Sequence, residues 1–271
     1  MAAVNPESRD SGFGVLSHVV KDNIYVIGQS GFIYTAPWIA TEATRAPSVA
    51  LIVSASKDPF KLLIGGRELH THAALIPPFV PRSLYGRNVP LVCFHVMPNS
   101  PHYDAFSHLT QRDNPIVDRK LFSLVDPELE QLYRGVLPPA QAPEVYETAV
   151  RLPIQHLRSK PLPDARVLRV RELLNAGAEP TLSELADDLG ISYFWASRMM
   201  AKVFGMSLRD YKAWCKQQRV FYHLHSDKTL TEIAHAAGFT DSAHLSRTYQ
   251  RWFGQPPSYS RNRNHVNILR C

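Results

Sequence analysis

The sequence predicts an α+β chain of two domains, an N-terminal β-barrel followed by helices and a C-terminal all-α domain with two helix-turn-helix units. The chain has 271 residues, more than one hydrophobic core usually organises. Short runs of β-branched and aromatic residues fill the first part, and a helical pattern repeats itself after residue 180. With 45% hydrophobic and 20% charged residues, the composition is typical of a folded globular protein.

Strands are predicted in the N-terminal region. Each predicted strand is a short apolar run bounded by Gly, Pro, Asn or Asp, a pattern typical of barrels and sandwiches. The runs cover residues 24–27, 32–34, 49–53, 60–64, 73–76 and 91–96.

Helices are predicted after the strands. Asp126 and Pro127 suit a helix start, and a second helix is predicted over 142–157. The first helix should present one apolar face, formed by Leu129, Leu132, Tyr133 and Val136.

A proline-bearing segment separates the two predicted domains. Proline lacks an N–H and restricts the residue before it, so no helix continues through 159–163. We therefore place an N-terminal domain at 1–158, a linker at 159–163 and a C-terminal domain at 164–265.

An internal repeat defines the C-terminal domain. Residues 181–192 realign on 229–240 with a shift of 48, and Ser197-Arg198 realigns on Ser246-Arg247 with a shift of 49. In each copy, Thr and a Glu three residues later form the pattern of a capping box, and a Gly follows where the chain must turn. The repeat predicts helix-turn-helix units at 181–204 and 229–253, joined by one long helix over 207–225.

Charge and cysteine content narrow the function classes. Residues 161–271 hold 15 Lys and Arg against 10 Asp and Glu, a net +5 of the chain's +6, and a basic domain is typical of a polyanion binder. Three widely spaced cysteines without a C-x-x-C pair favour a reducing cytoplasm and exclude a disulfide framework. The N-terminus lacks an apolar export segment, and no apolar run is long enough to span a membrane.

Over 164–264 the sequence resembles the AraC/XylS family of transcription regulators. The resemblance implies a seven-helix domain that binds double-stranded DNA at a promoter or operator and recruits or blocks RNA polymerase, with the third and sixth helices in adjacent major-groove segments. The motifs that carry it are Glu184-Leu-Ala, Ser192, Ser197-Arg198, Phe204-Gly205, Tyr211-x-x-Trp214-x-x-Gln217-x-Arg219, Glu232-Ile-Ala, Gly238-Phe239, His244-x-Ser246-Arg247 and Phe253-Gly-x-x-Pro257-Ser258.

This resemblance also implies which residues read bases. An Arg side chain suits such a role because its fork contacts guanine O6 and N7 together. Alternatives stay open for three of these residues. Phe194 and Trp195 could instead pack against the neighbouring linker helix, and Arg198 could contact a phosphate or form a surface ion pair. The implied positions are Phe194, Trp195, Ser197 and Arg198 in the first unit, and Ser242, Ala243, His244 and Arg247 in the second.

The sequence departs from the family pattern in two places. Ser260 stands where the repeat and the family place an aromatic residue, which predicts that the last helix is shifted by one residue. Tyr193 stands where relatives often have Pro, at the start of a recognition helix.

The N-terminal region resembles the cupin-type sensor barrel through residues 73–80 and 91–98. This resemblance implies a small-molecule effector, a homodimer formed through the helices of 126–157, or both. His70-Thr-His72 has the spacing of a metal cupin, so the alternative is a metal-dependent cupin enzyme fused to a DNA-binding module. No carboxylate follows soon after this motif, and Cys93 and His95 share a strand face without a third partner. We therefore expect two histidines on a strand face or edge, and no catalytic residue, metal or cofactor.

Overall fold

The computed structural model describes residues 21–28, 30–41, 43–56, 58–106, 109–110, 113–157, 165–175 and 179–271. The linker predicted at 159–163 lies outside the described residues, as do the first 20 residues.

One mixed sheet organises the N-terminal part. Its strands are β1 (Asp22–Ile27), β2 (Gly31–Ala40), β3 (Val49–Ser54), β4 (Phe60–Ile64), β5 (Arg67–Thr71), β6 (Ala73–Ile76), β7 (Arg82–Val96) and β8 (Val266–Arg270). The hydrogen-bonded order is β5-β4-β7-β2-β1-β8, and β3 joins β6 to β7. Among the described strands these pairings give one sheet that branches at β7, and they do not show the barrel closure that the sequence predicted.

The two faces of this sheet bury different clusters. Val49, Leu51 and Val53 of β3 pack with the helices that follow the sheet. Ala50 and Ile52 point to the other side, into a cluster formed by the sheet itself. The alternation is expected because successive strand residues point to opposite faces.

Strand prediction succeeded where the strands are apolar. All six predicted runs lie in strands, but β5, the first half of β7 and β8 were missed. The sequence of β5 is Arg-Glu-Leu-His-Thr, with an exposed and polar pattern. Its pairing with β4 supplies the stability that its composition does not indicate.

Three helices follow the sheet within the N-terminal part: α1 (Tyr103–Phe106), α2 (Asp126–Arg134) and α3 (Ala142–Ile154). Leu129, Leu132 and Tyr133 of α2 are buried, as predicted. Val136 is 64% exposed, contrary to the prediction, because α2 ends at Arg134 and Gly135 turns into the left-handed region with φ of 70°.

Seven α-helices are described in the C-terminal part over 165–175 and 179–271, the number that the family resemblance implies: α4 (Ala165–Asn175), α5 (Leu182–Leu189), α6 (Tyr193–Val203), α7 (Leu208–His223), α8 (Leu230–Ala237), α9 (Ser242–Phe253) and α10 (Pro257–Arg261). The long helix predicted at 207–225 is α7, which Ser207 caps by accepting a hydrogen bond from the Asp210 amide at 3.1 Å.

The chain returns to the sheet after α10. Strand β8 pairs in parallel with β1, in register from Asp22 with Val266 to Val26 with Arg270. The Tyr259 hydroxyl donates to Asp22 Oδ2 at 3.0 Å, and the Arg45 amide donates to the Arg251 carbonyl at 2.9 Å. These contacts dock the second helix-turn-helix unit on the N-terminal sheet.

Candidate nucleic-acid interface

Local hydrogen bonds fix the first helix-turn-helix unit. The Thr181 amide donates to Glu184 Oε2 at 2.7 Å while Thr181 Oγ1 accepts from the Glu184 amide at 3.2 Å, which is the predicted capping box. Gly190 takes the left-handed conformation with φ of 63°. Ser192 then caps α6 by accepting from the Trp195 amide at 3.3 Å.

The second unit repeats this arrangement with a longer turn. Thr229 and Glu232 form the same capping box, and Gly238 has φ of 86°. Asp241 caps α9 by accepting from the His244 amide at 2.6 Å, and this hydrogen bond keeps the pKa of Asp241 below its ordinary value. The helix cap follows the turn glycine by three residues here and by two in the first unit, which explains the change of shift from 48 to 49.

Small and apolar residues close both units. Ala186 and Ala234 are 4% and 0% exposed, as expected where two helices cross closely. Other buried members of the recognition helices are Ala196, Met199 and Met200 of α6, and Leu245, Tyr249 and Trp252 of α9.

The eight predicted base-reading residues lie on the opposite, outward side. Seven of them are exposed and Ser242 is half-buried. Phe194 is 78% exposed, an unusual position for a large apolar side chain. Neither Arg198 nor Arg247 forms a salt bridge with another residue of the described ranges. Each helix therefore presents an exposed arginine in its second turn.

The side chain of Trp195 is in contact with a neighbouring helix and is also partly exposed to solvent. The Arg166 guanidinium of α4 lies 5.7 Å from the centre of its ring, yet the residue is 44% exposed. The contact that the structure describes is therefore with α4 and not with the linker helix α7, and much of the side chain stays open to solvent.

A basic cleft joins the two recognition helices. It has a volume of about 960 Å³, and Tyr193 of α6 and His244 of α9 both border it. Its basic lining consists of Arg209, Lys212 and Lys216 of α7 and Arg251 of α9. Sequence reasoning missed these residues, although the spacing of three and four residues on one helix places the first three on a common face.

The last helix is not shifted by one residue, contrary to the prediction made at Ser260: α10 begins at Pro257 and α7 at Leu208, so the shift of 49 between the two copies is kept. Ser260 is buried, and its Oγ accepts a hydrogen bond from the Tyr249 hydroxyl at 2.9 Å. The aromatic side chain one position earlier, Tyr259, points to Asp22 in the N-terminal sheet.

The histidines and cysteine singled out in the N-terminal region lie in two places. His70 is exposed on β5, at the end of the sheet path. Cys93 and His95 are buried neighbours on one face of β7, and burial raises the pKa of the Cys93 thiol to about 12 and lowers that of His95 to about 3. Within the described ranges, no group of three or more His, Cys, Asp or Glu side chains is placed to hold a metal ion.

Among the helices described above, none is long and apolar enough to cross a membrane.

A helix-turn-helix domain family matches residues 185–263. Over 84 residues the chain is 32% identical to the HTH-type transcriptional regulator ExsA of Pseudomonas aeruginosa, covering 30% of this chain and 29% of that protein. Over 107 residues it is 33% identical to the transcriptional activator NphR of a Rhodococcus species, covering 38% and 30%. The matches span less than a third of either relative's length.

The whole fold has a counterpart among solved structures. Apo ToxT from Vibrio cholerae superimposes with a TM-score of 0.53 at 10% identity, covering 86% of this chain and 97% of ToxT. ToxT with a bound unsaturated fatty acid gives a TM-score of 0.50 at 11% identity, covering 84% and 93%. At this identity the likeness concerns the fold alone, a β-rich part followed by helices and a helical C-terminal part.

Two capped helix-turn-helix units with outward-facing recognition helices lie in the region that matches this domain family. Over this region the chain is similar to transcription regulators, among them ExsA and NphR.

Proposed function

We propose that the chain is a sequence-specific transcription regulator that reads promoter or operator DNA with α6 and α9. The observation that carries the proposal is the contrast within each unit: the inward face is fully packed, while Arg198 and Arg247 stand exposed without a salt bridge to a described residue. Arginine in this position suits the major-groove edge of guanine.

The basic cleft supports the same function. Lys212 and Lys216 lie between the two recognition helices. If both helices enter the major groove of one duplex, the phosphates between the two groove segments would lie beside these lysines. Phosphate contacts there would position the DNA, and the eight outward residues would specify its sequence.

Regulation is proposed for the N-terminal part. It resembles a cupin-type sensor, and its structural neighbour ToxT has been solved with an unsaturated fatty acid. We assign to it a small-molecule effector, homodimerisation through the helices of 126–157, or both. A regulator bound beside a promoter would contact RNA polymerase. It would then act either as an activator, as the name of the relative NphR states for that protein, or as a repressor.

Selection of bound fragments from genomic DNA tests the proposal. The expected result is a site with two conserved segments about one helical turn apart, ~34 Å. Scrambled DNA of equal length is the control, and equal binding of both would show a non-specific DNA-binding protein.

A further inference from the structure

A cavity of about 80 Å³ lies between the N-terminal sheet and the second helix-turn-helix unit. Ile39, Ile52 and Leu84 line it from the sheet, and Trp252 and Phe253 line it from α9. The lining is mostly apolar, and it comes from both parts of the chain. Any occupant therefore contacts the sensor and the DNA-reading part together.

Arg82 is the charged group of this cavity. It is 6% exposed, and its backbone is fixed because its amide donates to the Thr44 carbonyl at 3.1 Å and its carbonyl accepts from the Thr44 amide at 2.8 Å. Its Nη1 atom is buried and has no hydrogen-bond partner in the part of the chain that the structure describes. Buried charges are ordinarily paired.

The other polar groups of the cavity do not neutralise Arg82. The hydroxyls of Tyr34 and Tyr259 both donate to Asp22 Oδ2, at 2.5 and 3.0 Å. His95 Nδ1 is hydrogen-bonded to Ser48 Oγ at 2.9 Å, and burial keeps the imidazole neutral by lowering its pKa to about 3. Burial lowers the pKa of Arg82 itself to about 10, so the guanidinium is still protonated at neutral pH.

We infer that this interdomain cavity binds a carboxylic acid with an apolar body, whose carboxylate pairs with the Arg82 guanidinium. A carboxylate matches the planar fork of arginine with two parallel hydrogen bonds. The apolar body would lie between the sheet and Phe253. This inference rests on the proposed function, because it names the class of effector that the regulator senses.

A neighbouring cavity determines which chain length of the acid should bind best. A second cavity, of about 300 Å³, adjoins the first, because Phe32 and Phe221 line both. The two rings are 5.4 Å apart between centroids. An acyl chain anchored at Arg82 reaches the larger cavity when these rings move apart, so medium and long acids should bind more tightly than short ones.

The test is titration of the full chain with octanoate, dodecanoate and hexadecanoate, each below its micellar concentration. Tryptophan fluorescence is the readout, because Trp252 lines the first cavity and Trp214 the second, and calorimetry gives the stoichiometry. We expect one saturable site, with dodecanoate bound more tightly than octanoate. Two control probes each lack one part of the ligand: dodecanol has no carboxylate, and inorganic phosphate has no apolar body. Both should bind at least tenfold more weakly than dodecanoate.

Matched variants assign the anchor. Arg82→Met keeps the length of the side chain and should weaken dodecanoate binding at least tenfold, and Arg82→Lys should restore part of it. Arg87→Met is the control, since Arg87 is exposed on the same strand. Equal affinity for dodecanol and dodecanoate, or an unchanged affinity in Arg82→Met, would overturn the inference. DNA binding by each protein is measured separately, so that loss of the regulator function is distinguished from loss of the ligand site.

Discussion

Replacing Arg82 by Met should stabilise the ligand-free protein. Burial lowers the pKa of Arg82 to about 10, which by linkage corresponds to a cost of ~3 kcal/mol for holding the charge in this cavity. Because the folded pKa is depressed, the cost is fully present at all pH values below about 10. Methionine removes the charge and places an apolar side chain in the cavity that Ile52 and Leu84 also line, so the variant should recover part of this ~3 kcal/mol.

Urea unfolding at pH 7, followed by tryptophan fluorescence, measures this change. The free energy of unfolding should rise by ~1–3 kcal/mol in Arg82→Met. In Arg87→Met, on the exposed side of the same strand, it should change by less than ~0.5 kcal/mol. A loss of ~1 kcal/mol or more in Arg82→Met would show that the guanidinium is paired in the free protein, and would refute the reasoning.

Three further predictions concern the docking and packing of the C-terminal part. Burial raises the pKa of Asp22 to about 7, so the folded state favours the protonated acid; the free energy of unfolding should fall as pH rises from about 4 to about 7, and Asp22→Asn should abolish that fall in a pH series of urea titrations. Ala234→Leu should destabilise the second unit by ~1–3 kcal/mol through overpacking, whereas Ala201→Leu, at an exposed position of α6, should have little effect in the same titration. Deletion of residues 266–271 removes β8, so amide exchange in β1 should accelerate; unchanged exchange would mean that the parallel pairing does not form in solution.

The helix-turn-helix units were predictable because their signals are local. Thr181 and Glu184, or Gly238 and Asp241, act within one turn of helix, and the repeat shows the same pattern twice. The alignment shift between the two copies, which changes from 48 to 49, even indicated the extra turn residue of the second unit. The outward position of Arg198 and Arg247 follows from helix periodicity once the buried face is known.

The docking of the two parts was not predictable in the same way. Val266 pairs with Asp22 across more than 240 residues of chain, and no local pattern marks β8 as a partner of β1. Tyr259 faces Asp22 because Ser260 takes the inward position, which the sequence showed only as a missing aromatic residue.

The position of Arg82 was predictable from the sequence only in part. It shares its strand face with Leu84, as any residue two positions away does, so its inward direction was contained in the sequence once the strand was recognised. The proline and glycine residues around 77–90 concealed that strand. Its lack of a charged partner depends on His95 of the same long strand and on Tyr34 and Tyr259, which two other elements, β2 and α10, bring to the cavity.

The central claim is that α6 and α9 read separate segments of one DNA site. The most direct measurement is a base-preference profile of the selected site for Arg198→Ala, Arg247→Ala and the control Arg151→Ala, which changes an exposed arginine on α3 of the N-terminal part. Each recognition-helix variant should lose ~1–3 kcal/mol of discrimination at its own segment, about one helical turn from the other, and the control should keep the original profile. Equal loss of affinity on specific and scrambled DNA, with the profile unchanged, would show that these arginines contact only phosphates and would contradict the claim.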